Sequence, residues 1–248
     1  MDSTQVTLIG VDCATQPSRT GLALGRLEGE TAVLTHAMMG SKIDVAQQVA
    51  SWINNSPYPV LLALDAPLGW PQDLGTLLAT HEAGQPLTVP PNTLFRRDTD
   101  RFIKEKLGKQ SLDVGADRIA RTAHAALTLL AGVRHQTGQP IPLAWQENQT
   151  VPVRAAEVYP AATLASLGIR VRGYRQHETA RRELLGLLSP YLTIACDPAI
   201  LLAEVDALDA ALCVLAAADL LRGWCYLPHN LPLARKEGWM WVRRKEIF

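Results

Sequence analysis

The run Val6-Thr7-Leu8-Ile9-Gly10-Val11-Asp12 is short, β-branched, almost wholly apolar and closed by a carboxylate, which predicts a strand buried on both faces. Thr20 to Leu27, with Gly21 and Gly25 inside it, and Thr31 to Met39 read as two more strands separated by the turn-like Glu28-Gly29-Glu30. These segments predict an antiparallel meander. From Asp44 to Ile53 the period changes: Val45, Val49, Trp52 and Ile53 share one helical face, and Asn54-Asn55-Ser56-Pro57 stops the helix. Pro59 to Asp65 is again nearly all apolar and again ends in an Asp, as a central parallel strand should.

Leu68 to Asn92, rich in Gly, Pro, Thr and Gln, predicts a long functional loop or lid, since uncovered loops of that size are uncommon in compact folds. Beyond it the pattern gives a helix over Ala116 to Val133 and a strand over Val151 to Tyr159, with Glu157 near its end. Helices follow over Ala161 to Leu167 and Glu178 to Leu188. Leu202 to Leu221 is the most apolar helix of the chain, with Gly223 as its stop. Trp239 to Val242 completes the pattern as a final short strand. A meander, a crossover helix, a parallel strand and then alternating helix and strand predict a mixed α/β sheet flanked by helices, the order of ribonuclease H-like folds. No linker or low-complexity stretch divides the 248 residues, so one domain over 1–248 is expected, with a loop or lid and inserted helices at about 68–135.

Lys plus Arg equals Asp plus Glu, giving a formal net charge of zero. That removes the argument for nucleic-acid binding through a globally basic surface, and leaves only a local site. No basic-then-apolar leader precedes Gln5 and no apolar run approaches the roughly 18 residues of a bilayer span, so a cytoplasmic protein without membrane partners is expected. Cys13, Cys196, Cys213 and Cys225 lie far apart with no C-x-x-C pair, which argues against a zinc site or a disulfide framework and for buried thiols, Cys213 above all.

Asp12 and Asp65 both end strands, where ligands gather in α/β sheets; each alone could equally be a turn or capping residue. The apolar C-terminal helix adds Asp206 and Asp209, which at i, i+3 project from one face. Two like charges at the start of so greasy a helix suit a cation between them, or the helix dipole. Hard divalent ions, Mg²⁺ or Mn²⁺, take such oxygen ligands, and Asp12, Asp65, Asp206 and Asp209 could hold a two-metal centre about 3.5–4 Å across. Arg96, Arg97 and Arg101 supply local positive charge suited to phosphate oxygens; solvated ion pairs with Asp98 and Asp100 are the competing account. Trp70 could stack on a base or simply cover the core. The histidines show no ligand spacing.

Gly10-Val11-Asp12-Cys13-Ala14, Leu64-Asp65-Ala66-Pro67-Leu68-Gly69, Arg96-Arg97-Asp98-Thr99-Asp100-Arg101, Glu157-Val158-Tyr159-Pro160-Ala161-Ala162, Asp206-Ala207-Leu208-Asp209-Ala210-Ala211 and Glu237-Gly238-Trp239 together resemble the family labelled domain of unknown function 429. The resemblance spans nearly the whole chain and implies a ribonuclease H-like fold and nuclease activity inferred from that fold. The Asp206/Asp209 helix also resembles the last acidic motif of RuvC-type resolvases, which implies that Asp12 and Asp65 hold the first-strand and fourth-strand places. Asp65 is shorter than the Glu of the resolvases and is followed by the rigid Pro67, and Glu157 is a surplus acid that could be a ligand, a general base or the partner of an arginine. The expectation is a divalent-metal-dependent nuclease, with Asp12, Asp65, Glu157, Asp206 and Asp209 catalytic and Arg96, Arg97, Arg101 and Trp70 binding DNA or RNA. An actin- or sugar-kinase-like phosphotransferase needs a phosphate-binding Gly where Cys13-Ala14 stands. That phosphotransferase, a hydrolase of small phosphate esters and a non-catalytic binding module remain open, as does dimerisation.

Overall fold

A computed structural model describes residues 5–115, 117–146 and 150–245. Its strands are β1 (Val6–Asp12), β2 (Gly21–Glu28), β3 (Thr31–Met39), β4 (Val60–Asp65), β5 (Val153–Glu157) and β6 (Thr193–Ile194), in the sheet order β5-β4-β1-β2-β3-β6. β1, β2 and β3 form the antiparallel meander, β4 pairs parallel with β1, and β5 pairs parallel with β4. β6 adds to the far edge parallel to β3; its two residues are too few to show a period.

The helices are α1 (Val45–Asn54), α2 (Gln72–Leu78), α3 (Pro91–Leu94), α4 (Asp98–Leu107), α5 (Asp117–Thr137), α6 (Pro160–Ser166), α7 (Glu178–Leu188), α8 (Ala199–Ala203), α9 (Val205–Leu221) and α10 (Leu231–Glu237). Asp44 caps α1 by accepting the Gln47 N–H, which satisfies an otherwise orphaned donor. Alternation along the strands splits the sheet between two cores. Ile9, Val11, Leu22, Leu62 and Leu64 meet Val49 and Ile53 of α1 and Ala126, Leu130 and Val133 of α5. Leu8, Ala23, Leu61, Ala63 and Ala156 meet α9. Both faces are therefore dry, which is why these strands read as unbroken apolar runs.

Every residue of α9 from Ala207 to Asp219 is buried, because α6, α7 and α8 cover its outer side with Leu164, Leu184, Leu188 and Leu201. Its inner side rests backbone-to-backbone on the sheet. A Cβ on Gly10 would lie 2.1 Å from the Ala210 carbonyl oxygen, and one on Gly21 only 1.8 Å from that of Asp206. Two glycines thus set how closely the acidic start of α9 approaches β1 and β2.

Three expectations need correction. The helix foreseen over Leu202 to Leu221 is two helices, broken where Glu204 takes an extended conformation (φ −117°, ψ 114°). The stretch from Leu68 to Asn92 is not one open loop, since it contains α2 and the start of α3. Trp239 to Val242 is not a strand: Met240 makes an isolated parallel bridge with Glu157, while Trp239 and Trp241 are buried. The expected helix start at Ala116 lies outside the described residues. Cys213 and Cys225 are buried free thiols, and among the described residues no helix is long and apolar enough to cross a membrane.

Candidate active site

Asp12 is the Cα partner of Gly21 on one side and of Asp65 on the other, so the two acids stand in one row at the carboxyl ends of adjacent parallel strands. Alternation turns both towards α9, on the face of Leu8, Leu61 and Ala63. The break at Glu204 starts α9 directly above Gly21, which brings Asp206 and, one turn on, Asp209 to the same end of the sheet. The structure therefore gathers four carboxylates that are up to 197 positions apart in the chain.

They repel one another where water is scarce. Burial first, then Asp65, Asp209 and Asp206, push the Asp12 carboxyl up to about 9. Burial and then Asp209 push Asp65 up to about 8, with Arg175 opposing. Burial raises Asp209 to about 6 against the pull of Arg175 and Tyr174; it also raises Asp206 against Arg19. Shifts with these causes, clustered in one cleft, mark a place short of positive charge.

Two arginines hold the helix acids. Arg19 Nε lies 3.3 Å from Asp206 Oδ2, and Arg175 Nη2 lies 3.2 Å from Asp209 Oδ2. The Tyr174 hydroxyl donates to Asp209 Oδ1 at 3.2 Å. Among the described residues no three His, Cys, Asp or Glu side chains are already disposed to hold an ion, and Asp206 and Asp209 are paired with the two arginines. The donor chemistry still fits. Hard carboxylate oxygens with strongly raised proton affinity, short of countercharge, suit Mg²⁺ or Mn²⁺.

The acids floor a cleft of about 1340 Å³ whose lining includes Arg19, Lys109, Arg118, Arg121, Arg170 and Arg175. Cations and the acids thus share one cleft, although the chain as a whole carries no net charge. Sequence reading missed these cations, because they are scattered singly; only Arg118 and Arg121, i, i+3 at the start of α5, carried a signal of a shared face.

Of the arginines foreseen, Arg97 lines this cleft, and Arg96 and Arg101 do not. Arg97 is buried and all five of its N–H groups are used, on Asp100, on Glu157 and on the Glu237 carbonyl. Glu157 is the Cα partner of Leu64, one row from Asp65. It accepts from Arg97 Nη1 and Nη2 at 2.8 and 2.6 Å and from the Leu68 N–H at 2.9 Å. Gly238 (φ +87°) is required here, because a Cβ would sit 2.8 Å from Glu157 Oε2. Arg96 is held by Asp113 and Asn92. Arg101 donates to the Arg96 carbonyl and faces a smaller cleft of about 410 Å³ with Glu237 and Asn230. Trp70 is half-buried and lines neither cleft.

The strand order and directions, with acids at the carboxyl ends of the first and fourth strands and on the last long helix, define an α/β protein of the ribonuclease H-like type. The family described as "Protein of unknown function (DUF429)" matches residues 10–232, and the chain belongs to it. No curated protein matches. Among solved structures, T. thermophilus RuvC in complex with a Holliday junction substrate is similar at 14% identity and a TM-score of 0.36, over 88% of this chain and 96% of that one. The fold class rests on the strand order, not on that likeness.

Proposed function

We propose that this protein is a divalent-metal-dependent nuclease that hydrolyses phosphodiester bonds on the floor of the large cleft. The observation that carries this reading is the gathering of Asp12, Asp65, Asp206 and Asp209 in one cleft with Arg19, Lys109, Arg118, Arg121 and Arg170. Asp12, Asp65 and Asp209 are the residues that would hold Mg²⁺ or Mn²⁺, with Asp206 beside them. The bound ion supplies Lewis acidity towards a phosphoryl oxygen and lowers the pKa of water. Once ionised, the Asp12 and Asp65 carboxylates accept hydrogen bonds from water and orient it towards the phosphorus. Arg118, Arg121 and Arg170, which line the same cleft, hold backbone phosphates through charge-assisted hydrogen bonds. Several cations lining one cleft of about 1340 Å³ suit a strand with several phosphates better than a single small ester.

The test is cleavage of single-stranded, duplex and branched DNA and RNA with Mg²⁺ or Mn²⁺, beside Asp12→Asn and Asp209→Asn. Losing one ligand of a centre worth several kcal/mol should lower the rate at least ~100-fold. Cleavage that survives both substitutions, or that persists in EDTA, refutes the reading. Hydrolysis of a p-nitrophenyl phosphate ester without any attack on oligonucleotides would move the substrate to small phosphate esters.

A further inference from the structure

The acidic floor already carries a cation, and that cation is loosely held. Arg175 lies in the irregular segment between α6 and α7, two residues after Gly173 (φ +77°), and its side chain is 55% exposed. Its Nη2 meets Asp209 Oδ2 at 3.2 Å and its Nε donates to the Tyr174 hydroxyl at 3.3 Å, which in turn donates to Asp209 Oδ1. The contrast with Arg97, whose five donors are all committed in a dry network, is one of purpose. Only the guanidinium end of this pair is open, since the Asp209 side chain is 4% exposed, so the pair is cheap to break only where another cation takes Asp209 in its place. Arg175 is also the cation whose charge reaches all four acids, opposing the rise of Asp12, Asp65, Asp206 and Asp209 alike.

A divalent ion taking Asp209 would sit a few ångströms from the guanidinium, and like charges at that range repel by several kcal/mol at the dielectric of a partly wet site. The guanidinium must then turn away, and its tether leaves it on the wall of the cleft, where its planar fork matches phosphate oxygens. We propose that Arg175 is a resident counter-cation of the acidic floor, which yields Asp209 to a divalent ion and turns to a phosphate of the substrate. The proposal rests on the metal-dependent reading above. It adds that the metal-free and metal-bound states differ in where Arg175 points, with Tyr174 as the hinge-side anchor that limits its reach.

Two measurements on the full chain test it at one fixed pH. Calorimetric titration with Mn²⁺ should show Arg175→Gln binding at least about fivefold tighter than wild type, the factor expected on removing a competing pair whose arginine end is exposed. Tyr174→Phe should shift affinity in the same direction by less, and it carries the test if the Gln variant unfolds. Binding of a single-stranded oligonucleotide in Ca²⁺ should lose about 0.7 from its log–log salt slope in Arg175→Gln, the share of one phosphate contact. Equal or weaker Mn²⁺ binding in the variants would make Arg175 a fixed support for Asp209 and overturn the exchange. An unchanged salt slope would overturn the phosphate contact. A folded wild type that binds no Mn²⁺ would overturn the metal reading itself, and with it this proposal.

Discussion

Asp12→Asn should stabilise the metal-free protein, although it removes a residue proposed to be essential. The Asp12 carboxyl is raised from the ordinary 3.8 to about 9 by burial and by Asp65, Asp209 and Asp206. Between those values the folded state holds a proton that the unfolded chain has released, so stability falls as pH rises. The penalty is absent below about pH 4, grows with pH, and is complete only above the folded pKa. At pH 7 the gap from 3.8 is about three pH units at ~1.4 kcal/mol each, an upper bound of ~4 kcal/mol. Water entering the open cleft screens part of this, and we expect a gain of about 1–2 kcal/mol, or a rise in Tm of about 4 °C for a chain of this length. Asn carries no such proton, so the variant's Tm should also fall less between about pH 5 and pH 9 than that of wild type. The assay is thermal unfolding in EDTA across that range, repeated with excess Mn²⁺, which should raise the wild-type Tm more than the variant's. A variant that melts below wild type throughout, with a parallel pH profile, would refute the view that the acids repel one another in the folded state.

Other substitutions probe the parts that build the site. Gly21→Ala would drive a Cβ to 1.8 Å from the Asp206 carbonyl oxygen, so the start of α9 must lift; we expect a loss of about 1–3 kcal/mol in chemical denaturation together with weakened Mn²⁺ binding, and an unchanged protein would remove the close approach from the argument. Arg97→Gln strands Glu157 and Asp100 in a dry environment and should cost about 3–5 kcal/mol. Arg97→Lys should not restore it, because an ammonium cannot replace five planar donors. Arg118→Gln with Arg121→Gln should reduce the salt slope of oligonucleotide binding by about 1.4, at about 0.7 per phosphate contact on a single strand, while leaving Mn²⁺ affinity as in wild type.

The strands, the meander and the two central carboxylates were legible in the sequence because burial on both faces writes itself as apolar runs. A strand that ends in Asp announces where its chain leaves the core. The i, i+3 pair Asp206/Asp209 was legible for the same local reason, the helical period. What only the tertiary structure decided was which charges meet. Arg97 is locked to Glu157, 60 positions away, while Arg175 looked like nothing in particular and sits on Asp209, 34 positions away. The break at Glu204 and the seating of α9 on Gly10 and Gly21 are likewise invisible to periodicity, since the first interrupts an apolar pattern without changing it and the second depends on side chains that are absent. Local period records what a residue must hide from water; the partner of a charge is set by the long-range approach of elements, which no window of the sequence contains.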